Sequence, residues 1–333
     1  MTPGHPVLAQ VIRSGFAESA HRGSIVVTGP DGGVLHRAGT VDEPMFPRSS
    51  NKPMQAVAML RCGLDLDGEL LALAAASHSG EDFHVTGARK ILAGAGLAED
   101  ALQCPPDLPL DEDARTAVLR AGGEPSRLYM NCSGKHAAML ATCVAAGWDT
   151  TTYTDPGHPL QAEIRRTIER LAGEPVTAVG VDGCGAPLFA ISLAGLARAF
   201  GALVRAQPGL PERRVADAMR ANPRWTSGTS RPDRKLVEAV PGLLLKSGAE
   251  GVEGLALADG RAAALKVDDG DGARRTRIAV TVALLRAIGA GDAPGTDRAV
   301  LDNLGRPPVY GGGRVVGDVR VTLPLPGANA HNP

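Results

Sequence analysis

Ser49-Ser50-Asn51-Lys52 places a serine three residues ahead of a lysine, at what reads as a helix start. One helical turn brings such a hydroxyl and amine onto the same face. A lysine amine removed from water can take the serine proton, and the serine can then attack a carbonyl carbon. The same four residues also describe a capping serine followed by a solvated lysine, so the pair alone does not decide. Arg48, just before it, offers a planar fork for a carboxylate. A second group, Ser77-His78-Ser79-Gly80-Glu81, abruptly ends an apolar helix, as cleft-lining segments do. A third is Asn131-Cys132-Ser133-Gly134-Lys135-His136, ahead of an Ala-rich helix, and a fourth is Asp182-Gly183-Cys184-Gly185 after a short apolar strand. Cys132 and Cys184 are two soft candidate ligands for zinc, which still needs a third. Lys266 sits opposite Leu265 and Val267 on a strand, facing either solvent or a cleft, and Arg231 lies in the polar stretch 223–233.

The lysines stand out against the composition. Of 35 basic residues, 6 are Lys and 29 are Arg. A guanidinium keeps its proton at any workable pH, whereas an amine can lose it. In a chain that spends Arg on positive charge, the few Lys mark candidate positions for a neutral amine. The net charge of −1 argues against a broadly basic nucleic-acid face, and 3% aromatic residues leaves little for base stacking. No apolar run is long enough to span a membrane, and residues 1–19 lack a signal-peptide pattern, which predicts a cytoplasmic protein. Five cysteines in a long chain do not look like a disulfide framework.

The elements that must position these residues read as strands at both ends and helices between. Strands are expected at 7–13, 24–29 and 33–38, then at 176–181, 243–247, 254–258, 262–268 and 315–323. Helices are expected from about 51–62 through 70–76, 85–94, 113–121, 134–146, 160–172, 188–206 and 211–221, with a late one at 273–290. The expected fold class is therefore α+β, a single domain over 1–333. Its antiparallel sheet comes from about 7–40 and 243–323, and a helical region fills about 50–240.

Taken in order, R-S-S-N-K-P, S-H-S-G-E, N-C-S-G-K-H, D-G-C-G-A-P, S-R-P-D and L-K-V-D-D-G resemble the rhizobial-type (class 3) L-asparaginase family over nearly the whole chain. The resemblance implies a serine β-lactamase-like architecture and hydrolysis of L-asparagine to L-aspartate and ammonia. It implies two Ser–Lys tandems, Ser49 with Lys52 and Ser77 with Lys266. It implies zinc held by Cys132, Lys135 and Cys184, tuning substrate affinity, and a homodimer. Arg48 or Arg231 would hold the substrate carboxylate, with His78 or Asp182 orienting it. The two tandems have the same chemistry, so the residues do not choose between the serines. Two rivals stand beside this reading. Lys246-Ser247-Gly248 matches in form the K-T-G of penicillin-recognising serine hydrolases, which also use S-x-x-K. A family member that only binds an amino acid or zinc is the other.

Overall fold

The structure, a computed structural model, describes residues 4–323. An eight-stranded antiparallel sheet is drawn from both ends of the chain. In spatial order it runs Pro308–Gly311, Arg314–Val321, Val7–Arg13, Phe16–Thr28, Ala262–Val267, Val252–Ala256 and Leu244–Ser247, with Val34–Ala38 also paired to Phe16–Thr28. The helices fill the middle, so the α+β class expected from the sequence is found. Among the described residues no helix is long and apolar enough to cross a membrane.

Several boundaries differ from expectation. The second strand starts at Phe16, because its exposed first half shows no apolar alternation and is held by pairing to Val7–Arg13. The helix expected at 188–206 begins only at Leu193. The apolar run before it forms two short strands, Pro187–Phe189 and Ile191–Ser192, paired to Val179–Val181 and Pro44–Met45. Short apolar runs do not distinguish strand from helix by periodicity. The polar stretch 223–233 holds a helical turn, Pro223–Thr226, and the start of a helix, Pro232–Ala239. That helix, the helix Arg298–Gly305 and the strand Pro308–Gly311 were not signalled.

The chain forms two compact units. The first comprises the residues up to Ser50, Ile191–Arg205 and the chain from Lys235 onward; the second comprises Asn51–Ala190 and Ala206–Arg234. In the first unit, the sheet carries a helix on each face. Leu8, Ile25, Leu255, Ala263, Leu265 and Val267 face the helix Thr276–Ala287 and form a large apolar core. The register Ala264↔Gly254 and Ala262↔Ala256 puts small residues on the opposite face, under the helix Leu193–Arg205. Small side chains let that helix approach closely: a Cβ at Gly254 would lie 2.4 Å from Phe200 Cε2. Lys266 lies on this face, at the strand end, opposite Ser24 and Val252.

In the second unit, the helix Ser133–Ala146 packs against Asp82–Gly94, Gly68–Ala74 and Lys52–Arg61. Gly134 makes this possible, since a Cβ there would lie 2.8 Å from the Leu73 carbonyl oxygen. Phe83, His84 and Trp225 form a ring cluster, with His78 stacked 5.0 Å from His84. His84 is fully buried, and burial pulls its pKa from 6.5 down to about 4.

Two expectations follow. Gly254→Ala forces the Phe200 ring aside and should lower the unfolding free energy in urea by about 2 kcal/mol; a loss below about 0.5 kcal/mol would show that the ring moves freely. Histidine kept neutral by burial contributes fully above pH 6.5, and its contribution is lost as pH falls toward 4. Over that window the wild-type chain should lose about 3 kcal/mol more stability than His84→Gln, read from urea midpoints; equal losses would contradict the assignment.

Candidate active site

Lys52 opens the helix Lys52–Arg61, followed at once by Pro53, and is only 1% exposed. An ammonium has three N–H donors. Here they meet the Ala76 carbonyl at 2.5 Å, Ser77 Oγ at 3.0 Å and Cys132 Sγ at 3.1 Å. Ala76 and Ser77 follow the helix Gly68–Ala74, and Cys132 caps the helix Ser133–Ala146. The packing of three helix termini thus delivers three acceptors to one buried amine. Lys52, the lysine of one expected tandem, is brought to Ser77, the serine of the other.

The sulfur cluster adjoins this amine. Cys132 Sγ donates to Asn131 Oδ1 at 3.1 Å, and Lys135 Nζ lies 3.0 Å from Cys184 Sγ. The two sulfurs act on each other in opposite directions. Cys132 is pushed well up by its neighbour Cys184 and by burial, while Cys132 and the Lys135 charge hold Cys184 far down. Burial draws the Lys135 amine down, but the neighbouring sulfurs outweigh it and the net direction is up. Asp182 Oδ2 is 3.9 Å from Cys184 Sγ, in a tight turn closed by Gly185 N–H donating to the Asp182 carbonyl. Among the described residues no group of three or more His, Cys, Asp and Glu is arranged to hold a metal; the candidate set here includes a lysine.

His78 is fully buried, and burial holds its pKa well below 6.5. Its Nδ1 accepts from Gly80 N–H at 3.1 Å, so Nε2 carries the proton and donates to Ser133 Oγ at 2.9 Å. Both ring nitrogens are committed to the chain, and His78 ties the Ser77–Gly80 segment to the helix Ser133–Ala146. Nearby, Tyr153 OH accepts from Gln103 N–H and hydrogen-bonds His136 Nδ1 at 2.8 Å. The helix position of His136 was visible in the sequence, but its tyrosine partner was not.

Of the other expected residues, Arg48, Ser49 and Lys266 lie in the sheet unit. Ser49 sits in the 3-10 turn Arg48–Asn51. Arg48, immediately before it, adopts φ +50°, a left-handed conformation that costs a non-glycine residue about 1 kcal/mol. A Cβ at Gly248 would lie 2.7 Å from the Pro47 carbonyl oxygen, so the K-S-G glycine lets its strand end press on this turn. Arg48 Nη1 lies 3.6 Å from Glu250 Oε1, and Lys266 Nζ donates to the Glu250 carbonyl at 2.8 Å. Burial draws the Lys266 amine below the ordinary lysine range. Arg231, in the helical unit, is half-buried, and its Nε is buried with no hydrogen-bond partner.

The family model for L-asparaginase II matches residues 9–321. No curated protein matches the chain. Among solved structures, Mglu in its native form shares 17% identity at a TM-score of 0.44, covering 88% of this chain and 71% of that one. Mglu in 4.3 M NaCl shares 16% at 0.42; the alignment covers 83% of this chain but only 64% of that chain's length. A β-lactamase from Mycobacterium bovis shares 15% at 0.40, covering 79% and 93%. Matched from the first strand to the last, the chain belongs to the L-asparaginase II family.

Proposed function

We propose that the protein hydrolyses the side-chain amide of L-asparagine to L-aspartate and ammonia by a serine–lysine mechanism. The observation that carries this reading is the 3.0 Å contact of Lys52 Nζ with Ser77 Oγ. Ser49, three residues ahead of Lys52, attacks the amide carbon, and Lys52 takes its proton. With the Ala76 carbonyl and Cys132 Sγ occupying two N–H groups, the third position of the nitrogen is the exchangeable one. The proton leaves through Ser77 to the departing nitrogen, so ammonia departs neutral and an aspartyl ester stays on Ser49. Water then cleaves the ester with the proton flow reversed. Lys266, its amine destabilised as a cation by burial, serves as a second base. Arg231 takes the α-carboxylate and Asp182 the α-ammonium, while His78 holds the Ser77 segment in place. A cytoplasmic homodimer is the working form that the family resemblance suggests.

Zinc fits the donor set. Lys135 Nζ and the sulfurs of Cys184 and Cys132 are buried, Lys135 is hydrogen-bonded to Cys184, and the two sulfurs are of the soft type that zinc accepts. These three residues would hold it, and when bound it would supply a fixed positive charge that strengthens substrate affinity. To hold it, Cys132 and Lys135 would have to give up their protons.

Ser49→Ala should lower ammonia release from asparagine by about a thousandfold or more, and Ser77→Ala by about a hundredfold. Substantial turnover left in Ser49→Ala would transfer the nucleophile's role to Ser77. Lys52→Arg should be nearly as damaging as Lys52→Ala, because charge alone does not serve a base. Cys132→Ser should reduce zinc per chain by elemental analysis; unchanged metal content would refute the ligand set.

A further inference from the structure

The segment Ser77–Glu81 runs alongside Thr226–Ser230 and grips it with every second residue. Ser77 N–H donates to the Thr226 carbonyl at 3.1 Å, and Ser79 Oγ to the Ser227 carbonyl at 2.7 Å. The third tie runs the other way: Thr229 N–H donates to Glu81 Oε1 at 2.8 Å. This alternation is that of an extended chain, but two of its three ties are made by side chains. Gly228, at φ +138°, lies under the grip, where a Cβ would come 2.1 Å from Ser79 Oγ and 2.9 Å from Glu81 Oε1. Asp111 closes the other side, its N–H donating to the Ser79 carbonyl at 2.9 Å and its Oδ2 accepting from Ser230 Oγ at 3.2 Å.

The gripped segment leads directly to Arg231. Pro232 after it biases its backbone to an extended conformation. Several arginines are met by acids: Arg61 and Arg170 share Glu212, and Arg213 binds Asp217. Arg231 Nε is buried without a hydrogen-bond partner, as suits a guanidinium whose anion comes from outside. Its position is set by the two ties just before it: the side-chain bond of Ser230 Oγ to Asp111 Oδ2, and the backbone tie of Thr229 N–H to Glu81.

We propose that Glu81 is a positioning residue for substrate binding: by accepting Thr229 N–H it fixes the segment that presents Arg231 to the substrate's α-carboxylate. This rests on the reading that the protein hydrolyses an amino-acid amide. What Glu81 supplies is an acceptor oxygen at one place. Ser77 keeps its own tie to Thr226 without Glu81, so loosening the far end of the grip affects binding and leaves the bond-breaking step alone.

Steady-state ammonia release tests this. Glu81→Ala should raise KM for asparagine about fivefold or more with kcat within about twofold. Glu81→Gln, whose amide oxygen accepts the same N–H, should keep KM within about twofold of wild type. Gly228→Ala, which pries the segments apart with Glu81 intact, should reproduce the KM rise. β-Alaninamide, which is asparagine without its α-carboxylate, should be handled alike by wild type and Glu81→Ala. A fall in kcat at unchanged KM, or Glu81→Gln behaving like Glu81→Ala, overturns the proposal. If the wild-type chain releases no ammonia, the amide-hydrolysis reading is what fails. Calorimetry with aspartate then decides the grip: weaker binding by Glu81→Ala but not by Glu81→Gln upholds it, and equal affinities overturn it.

Discussion

The N–H groups of a buried amine must be met by acceptors, or burying it costs several kcal/mol. At Lys52 that demand organises the helical unit. Its three hydrogen bonds reach a carbonyl, a hydroxyl and a sulfur from two other stretches of chain. Each stretch must be placed to within a few tenths of an ångström, and the packing that does this uses Gly134 against Leu73 and His78 between Gly80 and Ser133. The residues that hold Ser77 and the residues that hold the helices together are largely the same.

Much of the site was visible in the chain itself, because its residue types are unusual in their settings. An S-x-x-K at a helix start, a cysteine preceding an Ala-rich helix and another in a two-glycine turn all occupy the elements expected of them. What could not be seen was pairing. Ser49 and Lys52 are linked by spacing, yet the serine that Lys52 meets in space is Ser77, 25 residues away. That contact depends on how helices pack, which no local pattern encodes. The contact of Glu81 was hidden for the same reason, since its partner is a backbone N–H 148 residues on.

The fold was legible where one face is buried and illegible where it is not. Val7–Arg13 and Ala262–Val267 carry core residues and were expected almost to the residue. Phe16–Ala20 is exposed and shows no apolar alternation, and becomes strand only because Val7–Arg13 lies beside it. The same holds at Ile191–Ser192, where a buried run reads equally well as helix. Tertiary context decided these segments.

The sheet's construction also constrains how the protein can be made. Val7–Arg13 pairs with Arg314–Val321, and Phe16–Thr28 pairs with Ala262–Val267. A ribosome delivers the first two strands long before it delivers their partners. During that interval the hairpin has two unpaired edges and an apolar face built on Leu8, Val11, Ile25 and Val27, the kind of surface that invites wrong partners. Synthesis therefore imposes a waiting period on the oldest part of the chain, and factors that shield nascent strands should matter more to its yield than to its final stability.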